Sequence, residues 1–242
     1  MRLLLIRHGE PDAPRDALTE VGKIEAGMLA DYLVEDTLDE LYVSPLVRAQ
    51  QTAAPYLEKT GRTAQMLPWL QEFTVPIMRP DRTEVINIPW DWPPQVWLSD
   101  PRFLDPFHWH ENEVFQQAHV RERYDEVVTE FDALLAAHGY VRDGLWYRAE
   151  KPNKDTLAFF CHLGLSCVLL SHLMNVSPMV LWHGTTLLPS SITTVYTEER
   201  RAGIASFRAS AIGDTSHLAL QGQKPSFAAR FCEVYGDGTR VD

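Results

Sequence analysis

Leu3-Leu4-Leu5-Ile6-Arg7-His8-Gly9-Glu10 opens the chain with a short apolar run that stops abruptly at charged residues. A run this brief and continuous reads as a strand covered on both faces, and so as a parallel strand inside an α/β sheet. Strands of this kind deliver functional residues at their C-terminal ends. Arg7 and His8 stand at that end. A guanidinium forks the oxygens of a phosphate, and an imidazole can attack phosphorus. Gly9 lets the backbone approach closely.

Further along, Thr19 can cap a helix over residues 20–35, with Leu29 and Leu33 on one face. Residues 38–43 read as a second strand. Ser44-Pro45 then offers a serine cap and a proline at the first helical position, for a helix that runs to Lys59 and stops at Gly61. Residues 63–67 read as a third strand. The alternation predicts an α/β fold, a three-layer α/β/α sandwich around a mostly parallel sheet.

Eight of the 16 prolines and five of the seven tryptophans lie between Pro68 and Trp109. The prolines bar a continuous helix or central strand, and the aromatic content is too high for a disordered linker. We read one domain over residues 1–242 with an ordered cap inserted at 69–112, built from short helical turns pinned by buried tryptophans. A long helix is expected over 113–137. A hairpin turning at Asp143-Gly144 follows, then an apolar strand over 156–161, a helix over 165–174 and an antiparallel pair at 191–197 and 204–209. The stretch after Leu220 reads as loose.

The formal charge of −11 on 242 residues argues against nucleic acid or an anionic membrane as partner, since both favour a basic surface. A small anionic substrate stays open, because arginine outnumbers lysine 17 to 5 and is the better fork for phosphate. The three cysteines, Cys161, Cys167 and Cys232, read as reduced thiols. The apolar stretch before Arg7 is too short for a secretory signal, so a cytoplasmic protein is expected, with a homo-oligomer left open. No zinc signature occurs, and neither metal nor cofactor is expected. His108 and His110 fit a substrate lid or a structural role better than a metal site. Arg79, Arg82 and Arg102 read as solvated, unless one reaches a second anionic group.

Two further fragments join Arg7-His8. Arg48 falls in the first turn of the helix after Ser44-Pro45, where the helix dipole already favours an anion. His162 follows the strand over 156–161. Arg-His, Arg and His thus meet at one sheet edge.

In these fragments the chain resembles the histidine phosphatase superfamily, the phosphoglycerate-mutase-like group. Arg7-His8-Gly9 matches the signature tripeptide, and Leu18-Thr19-Glu20-Val21-Gly22 the helix start. Ser44-Pro45 through Arg48 to Thr52-Ala53 matches the second motif. Leu70-Gln71-Glu72, His162-Leu163-Gly164 and Asp214 to Leu218 are similar to later ones. The resemblance implies that His8 attacks the phosphoryl group, that Arg7, Arg48 and His162 bind its oxygens, and that Glu72 is the proton donor. Glu84 and Glu111 are alternatives for that acid, and Asp105 a weaker one. It implies hydrolysis of a small phosphorylated metabolite through phosphohistidine. Mutase-type phosphoryl transfer and a non-catalytic phospho-ligand sensor are the alternatives. The sequence departs from the family in having no Asn between Glu10 and Asp16 to contact phosphate. It also lacks the Gly-x-x-Glu-Gly run of the mutases after Glu72.

Overall fold

The structure is a computed structural model and describes residues 1–227. In chain order it contains β1 (Arg2–Arg7), a short hairpin of β2 (Pro11–Asp12) and β3 (Ala17–Leu18), α1 (Glu20–Leu33), β4 (Glu40–Val43), α2 (Val47–Thr60) and β5 (Gln65–Met66). Next come β6 (Ile77–Arg79), β7 (Arg82–Asn87), α3 (Pro94–Trp97), α4 (Glu113–Gln117), α5 (Val120–Ala137), β8 (Tyr140–Asp143) and β9 (Trp146–Ala149). The last elements are β10 (Thr156–Cys161), α6 (Leu163–Met174), α7 (Pro178–Gly184), β11 (Ile192–Arg201), β12 (Ile204–Asp214) and α8 (Ser216–Ala219).

Eight strands form one sheet in the order β5-β4-β10-β1-β11-β12-β9-β8. The half that carries the proposed site residues, β5 through β1, is parallel as expected. From β11 onward every pairing is antiparallel, so the sheet is mixed. Strand alternation splits the core in two. Leu3, Leu5, Leu157 and Phe159 face one cluster, with α5, α6 and the tryptophans of the 69–112 segment. Leu4, Ile6, Ala158 and Phe160 face the other, with Leu29 and Leu33 of α1 and Ala53 and Tyr56 of α2. The unbroken apolar runs of β1 and β10 exist because both faces are covered. Among the described residues no helix is long and apolar enough to cross a membrane.

Local signals explain several boundaries. Thr19 caps α1 by accepting from the Gly22 N–H, and α2 ends at Gly61, whose φ of 65° suits a residue without Cβ. The hairpin at Gly144 forms as expected.

Other expectations need correction. Helix α2 begins at Val47, with Leu46 as its N-cap residue, so Ser44 does not cap it. The third strand shrinks to Gln65–Met66. The helix expected over 113–137 breaks at His119, which takes a left-handed φ of 54°, and Asn112 caps the short first piece. The 69–112 segment holds the β6–β7 hairpin besides its helical turns. Arg79 is buried there, with Nε and Nη2 on Asp81 and Nη1 on the Asp91 carbonyl, rather than solvated. Cys161 and Cys167 are buried free thiols, while Cys232 and most of the stretch read as loose lie outside the described residues.

Candidate active site

The parallel neighbours β4, β10 and β1 end on one edge. Ser44 follows the first, His162 the second and His8 the third. β11 runs antiparallel to β1, so the residues preceding it reach the same edge. The Ser190 N–H donates to the His8 carbonyl at 2.9 Å, and the His8 N–H to the Cys161 carbonyl at 3.0 Å. The backbone of His8 is therefore held on both sides.

His8 is buried, with its Nδ1 2.8 Å from the Gly9 carbonyl. A carbonyl only accepts, so Nδ1 carries the proton and Nε2 keeps its lone pair. Burial, then the guanidiniums of Arg7 and Arg48, hold the His8 imidazole well below the ordinary imidazole range. His162 is equally buried, its ring centroid 5.2 Å from that of His8. Its protonation is depressed by burial and then by His8, Arg48 and Arg7. Its Nε2 meets the Ser44 hydroxyl at 2.7 Å, and its Nδ1 has no hydrogen-bond partner among the described residues.

Arg7 is buried and donates through Nη1 to the Leu187 carbonyl. Burial pulls its guanidinium down to about 10, with Arg48 adding to the fall and Glu72 opposing it, so it stays charged at neutral pH. Arg48, in the first turn of α2, pairs with Asp16. Asp16 takes a left-handed φ of 45°, and its other oxygen accepts from the Val47 N–H at 2.9 Å. In the stretch where the family's Asn is missing, this carboxylate holds the start of α2 and the arginine on it. Thr52, one turn further on, accepts from the Gly9 N–H at 3.0 Å and donates to the Arg48 carbonyl at 2.8 Å.

Gly9 and Gly22 touch closely: a Cβ on Gly9 would meet the Gly22 carbonyl oxygen at 2.6 Å. This contact seats the loop after His8 on the first turn of α1. Glu25, fully buried on α1, accepts from the Glu10 N–H at 2.7 Å and anchors the loop from below. Burial pushes its carboxyl up from the ordinary range. His217, also buried, bonds through Nε2 to Ser190 Oγ at 2.9 Å and so supports the residue that holds His8.

Glu72 Oε1 accepts from Phe73 N at 2.8 Å and from Leu165 N, in the first turn of α6, at 2.9 Å. That turn follows directly on His162, so Glu72 joins the same edge. The alternative acids serve elsewhere. Asp105 accepts from Phe107 N and pairs with exposed His108, Glu84 is exposed on β7, and Glu111 lies in a helical turn whose Glu111 carbonyl takes Arg102.

Gly164 is tightly packed beside Glu72. A Cβ there would lie 2.5 Å from Trp90 Nε1 and 2.9 Å from Glu72 Oε1. Gly164→Ala must displace one of them. A misplacement of about 1 Å near the chemistry costs roughly 100-fold, so a fall in kcat of that order is expected, without loss of the fold. Paired kcat and Tm measurements check this, and an unchanged kcat would show that the packing is irrelevant.

The structure thus brings together Arg7, His8, Arg48, Glu72 and His162. Sequence reasoning gave no role to Asp16, Thr52 or Glu25 and misassigned Ser44. Of these, Glu25 had a signal: a carboxylate in the apolar stripe of Gly22, Ala26, Leu29 and Leu33.

A sequence profile of the histidine phosphatase superfamily (branch 1) matches residues 3–209. A probable phosphatase of Schizosaccharomyces pombe is 34% identical over 67 residues, 24% of this chain and 32% of that relative. The phosphoserine phosphatase of Entamoeba histolytica, solved with 3-phosphoglyceric acid, superposes with a TM-score of 0.60 at 18% identity, over 90% of this chain and 98% of its own. A mycobacterial glucosyl-3-phosphoglycerate phosphatase gives 0.56 at 20% identity, over 88% and 99%. The α-ribazole phosphatase of Shigella flexneri gives 0.52 at 19%, over 86% and 95%. The profile takes in the ends of β1, β4 and β10 and the residues gathered there, and the chain belongs to the histidine phosphatase superfamily, branch 1.

Proposed function

We propose that the protein hydrolyses a small phosphomonoester through a phosphohistidine formed on His8, without a metal ion. The observation that carries this reading is the 2.8 Å contact between His8 Nδ1 and the Gly9 carbonyl, which sets the tautomer of His8. Its Nδ1 proton is committed to the Gly9 carbonyl, which leaves the Nε2 lone pair for phosphorus. Low basicity keeps that lone pair available in mild acid.

In this mechanism Arg7, Arg48 and the Nδ1–H of His162 bind the phosphoryl oxygens and meet the charge that builds during transfer. His8 Nε2 bonds to phosphorus as the ester P–O bond breaks. Glu72 gives its proton to the leaving oxygen. It then takes a proton from water, whose oxygen attacks phosphorus as the N–P bond breaks. Phosphate leaves and His8 is restored. Two guanidiniums supply the positive charge that a divalent ion would bring, and the neutral His162 imidazole adds a hydrogen-bond donor, so no cofactor enters.

Segment 69–112 is the cap in this account. Trp90 packs against Gly164, on which Glu72 also closes, and Trp92 is buried in the same core cluster. An indole wall favours an ester with an apolar or ring portion over a small sugar acid. A phosphatase screen over a metabolite panel, with His8→Ala as the control, is expected to rank ring-bearing esters first. Highest turnover on phosphoglycerates would overturn this preference. We place the enzyme in the cytoplasm, a setting that suits the free thiols of Cys161 and Cys167. We propose a small phosphorylated substrate as its partner rather than nucleic acid or membrane.

A further inference from the structure

We propose that Ser44 is a positioning residue that locks His162 in the tautomer able to donate to phosphate. The proposal deepens the reading above and rests on its placing of His162 at the phosphoryl group.

The fold puts Ser44 there by strand register. Val43 pairs with Phe160 in the parallel β4–β10 ladder, and the Ser44 N–H donates to the Phe160 carbonyl at 3.0 Å. Ser44 therefore sits beside the turn into His162. Both side chains are closed to solvent, and Ser44 Oγ lies 2.7 Å from His162 Nε2.

Counting protons fixes the direction of this bond. A serine hydroxyl has one proton and two lone pairs. The Leu46 N–H donates to Ser44 Oγ at 3.2 Å and occupies one lone pair, and the buried hydroxyl proton has a single acceptor within reach among the described residues. That acceptor is His162 Nε2, and an Nε2 that accepts leaves the imidazole proton on Nδ1. The Nδ1 atom is buried and has no hydrogen-bond partner among the described residues. It is the donor left over for an anion.

The opposite tautomer would aim a lone pair at the phosphoryl oxygens. Protonating the ring would also supply a donor, but the surroundings oppose it. His8 and Arg7 face His162 from the end of β1, and Arg48 faces it from α2. Just before His162, at the end of β10, Cys161 is held as a neutral thiol by burial, and Glu72 spends one oxygen on the Leu165 N–H. Neutral His162 donates to phosphate only through Nδ1, and the Ser44 hydroxyl sets that tautomer. The same hydroxyl looked like a helix cap in the sequence, but α2 starts at Val47.

Long-range proton–nitrogen NMR on the full chain, labelled at histidine nitrogen, reads the tautomer directly, with His162 assigned through His162→Gln. The expected wild-type spectrum at neutral pH has a protonated Nδ1 and a bare Nε2. Ser44→Ala removes one hydrogen bond to the neutral ring. His162 should then populate both tautomers, its protonation midpoint should rise by about one pH unit, and kcat and the affinity for inorganic phosphate should each fall about tenfold. Ser44→Thr, which keeps the hydroxyl, should recover most of the tautomer bias. A wild-type His162 protonated on Nε2 overturns the proposal, and so does Ser44→Ala with wild-type tautomer and phosphate affinity. If Ser44→Ala does not fold, the wild-type spectrum decides alone. If the protein binds phosphate with the expected tautomer but hydrolyses no ester, the functional reading fails while the role of Ser44 stands.

Discussion

His8→Ala should lower phosphate release at least about 1,000-fold while leaving the fold intact, because it removes the nucleophile and little else. The backbone of residue 8 is held by Cys161 and Ser190 through main-chain bonds that alanine keeps. Arg7, Arg48 and His162 do not depend on the imidazole for position, since their bonds run to Leu187, Asp16 and Ser44. The variant should therefore still bind inorganic phosphate, and a residual rate from positioning and charge alone should persist. Phosphate release under saturating substrate, paired with Tm, checks both halves. Equal rates in the two proteins would remove His8 from the chemistry. A collapsed Tm would make it structural.

The second large effect is on stability in acid. His217 is buried against Ser190, and burial lowers its basicity from the usual 6.5 to about 4. In the unfolded chain the same ring binds a proton near pH 6.5. Between these values the unfolded state holds more protons, so stability rises with pH across the window. The contribution is complete above pH 6.5 and is lost as pH falls towards 4. His217 alone accounts for a loss of about 3 kcal/mol by pH 4. His8, His162 and His183 are shifted in the same direction by burial and add to it. Glu25 opposes it, since a buried carboxyl raised above its ordinary value prefers low pH. Urea unfolding of wild type and His217→Gln at several pH values separates these contributions. The variant starts less stable and should lose less between pH 6.5 and 4. Parallel curves would show that His217 carries no such linkage.

What the sequence revealed was local or repeated. The apolar run of β1 and its Arg-His end are contiguous, β10 is apolar after Thr156, and Gly61 stops α2 where it stands. Arg7, His8, Arg48 and His162 were legible because each sits at the end of a strand, just beyond one, or within a first helical turn. Ser44 and Asp16 were missed because the deciding partner is far along the chain. Ser44 beside a proline has the local form of a cap, and only His162, 118 residues on, shows what the hydroxyl does. Asp16 gains meaning from Arg48, 32 residues away. Arg79 looked solvated until the fold of its segment brought the Asp91 carbonyl against it. The break at His119 has neither glycine nor proline to announce it, and tertiary packing overrides the helical pattern there. The antiparallel half of the sheet began in sequence as two short runs, and pairing with β1 and β9 extended them.

The central claim is that His8 carries the phosphoryl group, and a trapped intermediate tests it most directly. Mixing the enzyme with excess substrate and quenching in alkali, where a phosphoramidate survives, should leave one phosphoryl group per chain. Peptide mapping should place it on His8, acid should release it, and His8→Ala should trap none. A phosphoryl group found on any other residue, or full turnover with no phosphoenzyme at any quench time, would contradict the account.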